Sequence, residues 1–221
     1  SLNKNYSNAF SNLGLLKKRQ GFFKEALKFF DQALVIEPEN FKILYNKSIC
    51  LLEMGNFKEG LELYKWRQNG KYAKNNYLDL NLKLITNKKI LVTCDQGLGD
   101  TILLSRYTLL LSSCGADVVF QIPKSLKELM KNFNKKIHVT SEPVLKDDFD
   151  YIFSLGDLLN IFQVNKSNIP KKNSYIKIDD QWIEKWGDKI DKNKFNVGIA
   201  WQGKRGGNLD EGRSFDLNNF E

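Results

Sequence analysis

One histidine and three cysteines in 221 residues leave little room for soft-metal or thiol chemistry. Cys50, Cys94 and Cys114 are far apart, lie in apolar runs and show no metal-ligand spacing, which argues against a zinc site or a disulfide framework and suits a reducing compartment. No run reaches the length of about 18 apolar residues that a membrane-spanning helix needs. The amino terminus has neither an apolar signal core nor a methionine, so Ser1 reads as a trimmed start and a cytoplasmic location follows by default. Lys and Arg (34) exceed Asp and Glu (26), for a net charge of +8, and a basic surface attracts phosphates or nucleic acid. The excess is spread as isolated lysines, without an arginine-rich patch or interleaved aromatics, which disfavours nucleic-acid binding. Apolar residues make up 42% of the chain, enough for cores in one large or two modest domains.

An internal repeat organises the first third. Phe23-Lys24-Glu25-Ala26-Leu27 recurs 34 residues later as Phe57-Lys58-Glu59-Gly60-Leu61, with Gly21 matching Gly55 and Phe30 matching Tyr64. A helix-turn-helix unit of this period is the tetratricopeptide repeat, and Phe10, Leu13, Gly14, Ala26, Phe30, Ala33 and Pro38 fit its pattern. Gly14 and Ala26 are small where two antiparallel helices cross, Phe10 and Phe30 fill the space beside the crossing, and Pro38 closes the second helix. The second copy is degenerate, with Ser48 and Gly60 at the small positions and no closing proline. We expect repeats over 1–70, in copies 7–40 and 41–70, packed on earlier repeats or on the domain that follows.

After a connector over 71–87 the period changes. Ile90 to Thr93 is an apolar, β-branched strand, followed by the loop Cys94-Asp95-Gln96-Gly97-Leu98-Gly99 and a helix expected from about Asp100 to Ser113. Further strands are expected at 117–122, 136–140 and 150–154, with a helix over 125–133. Ser154-Leu155-Gly156-Asp157 leads into a short helix or loop, 174–178 is expected to be extended, and Asp179 is the expected N-cap of a helix through Ile190. A last strand, Asn196 to Trp201, precedes a glycine-rich basic loop. Alternating strands and helices indicate a parallel, Rossmann-like sheet. The fold class expected is therefore α plus α/β, with the Rossmann-like domain over 88–192 and the start of a second over 193–221.

In such a sheet a ligand binds beyond the carboxyl ends of the strands, and Gly97 and Gly99 would let it approach the backbone. Gln96, Gly97, Gly99 and Thr101 are the ligand-binding residues expected at this loop. Gly97-x-Gly99 lacks the third glycine of a dinucleotide fingerprint, with Ile102 in its place and no acidic residue ending the second strand, so an NAD enzyme is disfavoured. Lys204, Arg205 and Arg213, among Gly203, Gly206 and Gly207, form a second candidate, an anion-binding loop. His138 has no partner in view and reads as structural. Asp147, Asp148 and Asp150 read as a solvated turn, not a metal site. Trp66, Trp182 and Trp186 read as packing residues, with Trp201 at a cleft.

The order Cys-Asp-Gln-Gly-Leu-Gly-Asp-Thr-Ile, Arg106-Tyr107, Gly115-Ala116-Asp117-Val118-Val119, Ser154-Leu155, Ile169-Pro170, Tyr175-Ile176, Val197-Gly198-Ile199-Ala200-Trp201-Gln202-Gly203 and Arg213-Ser214 resembles the glycosyltransferases related to ADP-heptose:lipopolysaccharide heptosyltransferases. The bacterial subgroup it resembles carries tetratricopeptide repeats before the transferase. The resemblance implies two facing Rossmann-like domains (a GT-B fold), of which this chain would hold the first and the start of the second. It also implies a nucleotide-sugar donor, a glycan or protein acceptor, no cofactor, and a protein partner on the repeats. By resemblance Asp100 is the general base on the acceptor hydroxyl, and Lys204, Arg205 and Arg213 approach the donor phosphates. The competing readings are that Asp100 or Thr101 merely caps the helix, and that the whole is a non-enzymatic interaction module or scaffold.

Overall fold

A computed structural model describes residues 4–67, 82–171, 174–199 and 214–220. By its contacts the chain divides into two units, Ser1–Lys177 and Ile178–Glu221.

The first unit begins with two helical hairpins. Helices α1 (Lys4–Arg19) and α2 (Phe23–Ile36) form one, α3 (Phe41–Glu53) and α4 (Phe57–Tyr64) the other. The turn inside each hairpin is made by a glycine at φ +81°, Gly21 and Gly55, a left-handed conformation that side chains resist. Gly14 lies against Phe30, where any Cβ would come within 2.6 Å of the ring, so the first crossing needs a glycine. Ala26, Phe30, Ala33, Ile43 and Cys50 form the core of this region. Chain passage into α3 is set by Asn40, whose side chain accepts from the Lys42 and Ile43 N–H groups at 3.1 and 3.4 Å. In the second hairpin the crossing is polar: buried Ser48 donates to the Gly60 carbonyl at 2.8 Å, and a Cβ on Gly60 would lie 2.8 Å from Leu52. The degenerate copy therefore keeps the close crossing by a different chemistry.

The sheet contains β1 (Lys89–Thr93), β2 (Asp117–Gln121), β3 (Ile137–Thr140) and β4 (Tyr151–Ser154), all parallel in the order β3-β2-β1-β4. Leu91 pairs with Val119 on one side and Ile152 on the other. Ile90, Leu91 and Val92 are fully buried, as the interior strand of a two-face-covered parallel sheet requires. Helices α5 (Leu98–Leu104), α6 (Arg106–Ser113), α7 (Lys127–Met130) and α8 (Leu155–Ile161) complete the domain. Its core takes in Leu61 of α4, and Asn160 of α8 donates to the Leu61 carbonyl at 2.6 Å, so the second hairpin packs directly on the α/β domain.

Several boundaries differ from expectation for local reasons. The helix expected over 100–113 starts at Leu98 and breaks at Ser105. Ser105 donates to Ile102 O, Arg106 Nε to Leu103 O and Thr108 to Ser105 O, so side chains compete for carbonyls along the break. The helix expected over 125–133 shrinks to a 3₁₀ turn and α7. Phe133 tucks beside Phe120, ring centroids 6.2 Å apart, and Asn134 accepts from the Lys136 N–H to turn the chain into β3. Residues 174–178 form no strand; Tyr175 and Ile176 pack on the sheet core instead.

In the second unit, α9 (Asp180–Gly187) has the expected N-cap, Asp179 accepting from the Gln181 N–H at 3.2 Å, and ends short of Ile190. Lys185 and Lys189 lie over Trp182 and Trp186, each 4.7 Å from the ring centroid; Trp182 is half-buried, whereas Trp186, expected to be a packing residue, is 53% exposed. Of the strand expected over 196–201, residues 196–199 form no ladder with any described strand, and Phe195 before them is 94% exposed. A strand is stable only with a partner. Residues 200 and 201 lie outside the described residues.

Candidate functional site

In this strand order the direction of winding reverses between β1 and β4, and in open α/β sheets ligands are taken in the crevice beyond the carboxyl ends of the strands at such a point. Both strands run into the same tetrapeptide pattern there, Gly97-Leu98-Gly99-Asp100 after β1 and Ser154-Leu155-Gly156-Asp157 after β4. In each, the first residue is the N-cap and the aspartate, three residues on, accepts from the N-cap N–H, at 3.2 Å for Asp100 and 2.8 Å for Asp157.

The inner side of the crevice is filled by Arg67, three residues past α4. It stands 34 residues after Ala33, at the position the first hairpin keeps small, and its side chain is 1% exposed. Arg67 Nε donates to Asp95 Oδ2 at 2.5 Å, Nη2 donates to Asp157 Oδ1 at 2.6 Å and to Ser154 Oγ, and Nη1 donates to the Tyr64 carbonyl at 3.2 Å. Ser154 Oγ is 2.9 Å from an oxygen of each aspartate and has one proton to share between them. The Gly156 N–H donates to Asp95 Oδ1 at 3.3 Å. Gly156 is small because the guanidinium lies against it: a Cβ there would be 2.6 Å from Arg67 Nε. Burial pulls the guanidinium pKa down, but Asp157 and Asp95 outweigh it and the net shift is upward, so Arg67 stays charged.

The outer side is open. Gln96 is half-buried, while Gly97, Gly99 and Asp100 are exposed. Neither glycine has a positive φ; a Cβ on Gly99 would meet nothing within 4 Å, and one on Gly97 only Asp100 Oδ2 at 3.4 Å. Neither the backbone conformation nor the packing demands glycine here. Asp100 uses Oδ2 on the Gly97 N–H, and Oδ1 has no partner among the described residues. Thr101, expected to bind ligand, is fully buried and donates to the Gly97 carbonyl at 3.0 Å, which stiffens the loop from below. Beside the loop stand two tyrosines of the second hairpin, Tyr45 and Tyr64, ring centroids 5.9 Å apart, with the Arg67 guanidinium 4.9 Å from the Tyr64 centroid. Burial raises both phenol pKa values, Arg67 opposes the rise and both Asp95 and Asp100 add to it, so both hydroxyls stay protonated. Cys94, whose Sγ lies 3.3 Å from the Gln121 carbonyl, has its thiol pushed up to about 11 by burial, against a partial offset from Thr101.

Lys204, Arg205 and Arg213 lie outside the described residues. His138 is exposed on β3, Asp147 and Asp148 sit in an exposed 3₁₀ turn, and Asp150 pairs with Lys88 at 2.9 Å. Among the described residues no group of three His, Cys, Asp or Glu is placed to hold a metal ion. The residues that sequence reasoning missed are Arg67, Asp95, Ser154 and Asp157. Two signals pointed to them: the Leu-Gly-Asp that occurs twice, and an arginine at a small-residue position of the repeat.

Helical hairpins leading into a four-stranded parallel sheet with helices give the described residues an α plus α/β architecture. Among curated proteins, Protein FlbA of Caulobacter vibrioides is similar to this chain, 21% identical over 213 residues that cover 85% of the chain and 36% of FlbA. The chain thus spans about a third of that relative's length. No family model and no solved structure matches the chain.

Proposed function

We propose that this chain carries the acceptor-side half of a glycosyltransferase of the heptosyltransferase-like kind. Its hairpins are then tetratricopeptide repeats, and its sheet the first Rossmann-like domain of a GT-B fold. One observation carries the reading: the outer face of the 96–100 loop has two glycines that neither conformation nor packing requires, beside a carboxylate with one oxygen unpartnered among the described residues. Glycines in such a place admit a ligand to the backbone. In this reading the acceptor hydroxyl oxygen bonds to the anomeric carbon of a nucleotide-sugar. The bond from that carbon to the phosphate oxygen breaks with its electron pair leaving on the nucleotide, and the hydroxyl proton passes to Asp100. Gln96 orients the acceptor, and Lys204, Arg205 and Arg213 meet the donor phosphates. No cofactor is needed.

The test is transfer by the full gene product. Asp100→Asn is expected to abolish transfer while leaving the chain folded, and undiminished turnover removes the assignment. Lys204→Ala and Arg213→Ala are expected to weaken nucleotide-sugar binding; unchanged affinity in both discards the donor site. A second reading, an interaction module whose sheet is only a scaffold, is favoured by the Arg67 guanidinium filling the inner crevice. It predicts no saturable nucleotide-sugar binding, and a protein partner lost on altering the hairpins.

A further inference from the structure

We infer that Arg67 is a positioning residue: the second hairpin delivers its guanidinium to Asp95, and this contact sets the shape of the 94–100 loop at the switch point. Asp95 joins the guanidinium to the loop. It directly precedes Gln96, its side chain is fully buried, and the contacts described for it run to Arg67, Ser154 and the Gly156 N–H. Asp157 holds the other side of the same guanidinium. One planar cation therefore ties the end of β1 to the end of β4, and it comes from outside the sheet. A guanidinium can do this because its fork of donors reaches two carboxylates and a hydroxyl at once, whereas an ammonium is a single point. The hairpins are in this sense part of the loop's structure. The inference rests on the sugar-transfer reading only where it treats the loop as a ligand site, and the experiment below reads the loop itself.

The three cysteines make local reporters in the full chain. Cys94 adjoins Asp95, Cys114 follows α6, one residue before Gly115, in the turn into β2 at the opposite end of the sheet, and Cys50 is buried in the hairpin core. Alkylation at pH 8 of Arg67→Ala is expected to label Cys94 about tenfold faster or more and to make it the first cysteine to react, ahead of any rise that lower overall stability brings to Cys114 and Cys50. Guanidinium ion at about 10 mM, far below denaturing levels, is expected to restore the slow rate by refilling the hole. Methylammonium is not expected to do so, and Arg67→Lys is expected to fall between the wild type and Arg67→Ala. Should Arg67→Ala fail to fold, the variant combining Arg67→Met, Asp95→Asn and Asp157→Asn removes the buried charges together and is expected to fold. Fast Cys94 labelling in that variant, with Cys50 and Cys114 protected, supports the inference. A Cys94 rate unchanged in whichever variant folds overturns it, as does a rise shared equally by all three cysteines.

Discussion

Two helix starts with the same Leu-Gly-Asp pattern, one after β1 and one after β4, have opposite fates in this protein. At α8 the glycine is covered by the Arg67 guanidinium and the aspartate is buried against it, 2% exposed. At α5 the glycine faces open space and the aspartate is exposed. The local chemistry is alike, since each aspartate accepts from its own N-cap N–H. What differs is the neighbour brought by the hairpins. A switch-point crevice is thus divided into an inner half occupied by the chain itself and an outer half left accessible.

The largest expected effect comes from emptying the inner half. Arg67→Ala leaves two carboxylates buried without their cation, and a loss of about 3–5 kcal/mol is expected from chemical denaturation. Next is Gly156→Ala, whose Cβ would enter the guanidinium's space, for an expected loss of about 1–3 kcal/mol. The matching change at α5, Gly99→Ala, has room and an ordinary φ, and is expected to hold or raise stability by up to about 1 kcal/mol. Equal costs at Gly99 and Gly156 would erase the distinction between the two helix starts.

Much of this architecture was legible because it depends on short-range pattern. Gly21, Gly55, Gly14 and Pro38 announce the hairpins, and the apolar run of β1 with the glycine loop announces a strand running into a helix. The breaks at Ser105 and after Met130 were hidden because they arise from side chains competing for particular carbonyls and from Phe133 seeking Phe120. Arg67 was hidden for a different reason. A turn arginine reads as a solvated charge; its place at a small-residue position of the repeat is a faint signal, and the three-dimensional approach of Asp95 and Asp157, 28 and 90 residues away, gives it a buried role. The expected ligand residue Thr101 illustrates the converse: next to Asp100 in sequence, it points into the core because a helix turns about 100° per residue.

A smaller effect concerns pH. Cys94 has a folded-state value of about 11 against an ordinary 9.0, so the folded chain favours the thiol. Its contribution to stability is complete below pH 9 and declines as pH rises through the folded value. Alkylation of Cys94 in the wild type is expected to keep accelerating up to about pH 11, where an exposed thiol would already have levelled off. A plateau near pH 9 would mean that the loop does not shield it.

The pairing of Arg67 with Asp157 across the junction is tested most directly by a double-mutant cycle of Arg67→Met and Asp157→Asn, read by denaturant unfolding of the full chain. Partners in one buried network are expected to couple by about 2 kcal/mol or more, with the double variant no less stable than the worse single one. Additivity within about 0.5 kcal/mol would mean that the two side chains act independently and that the hairpins do not fill the crevice at α8.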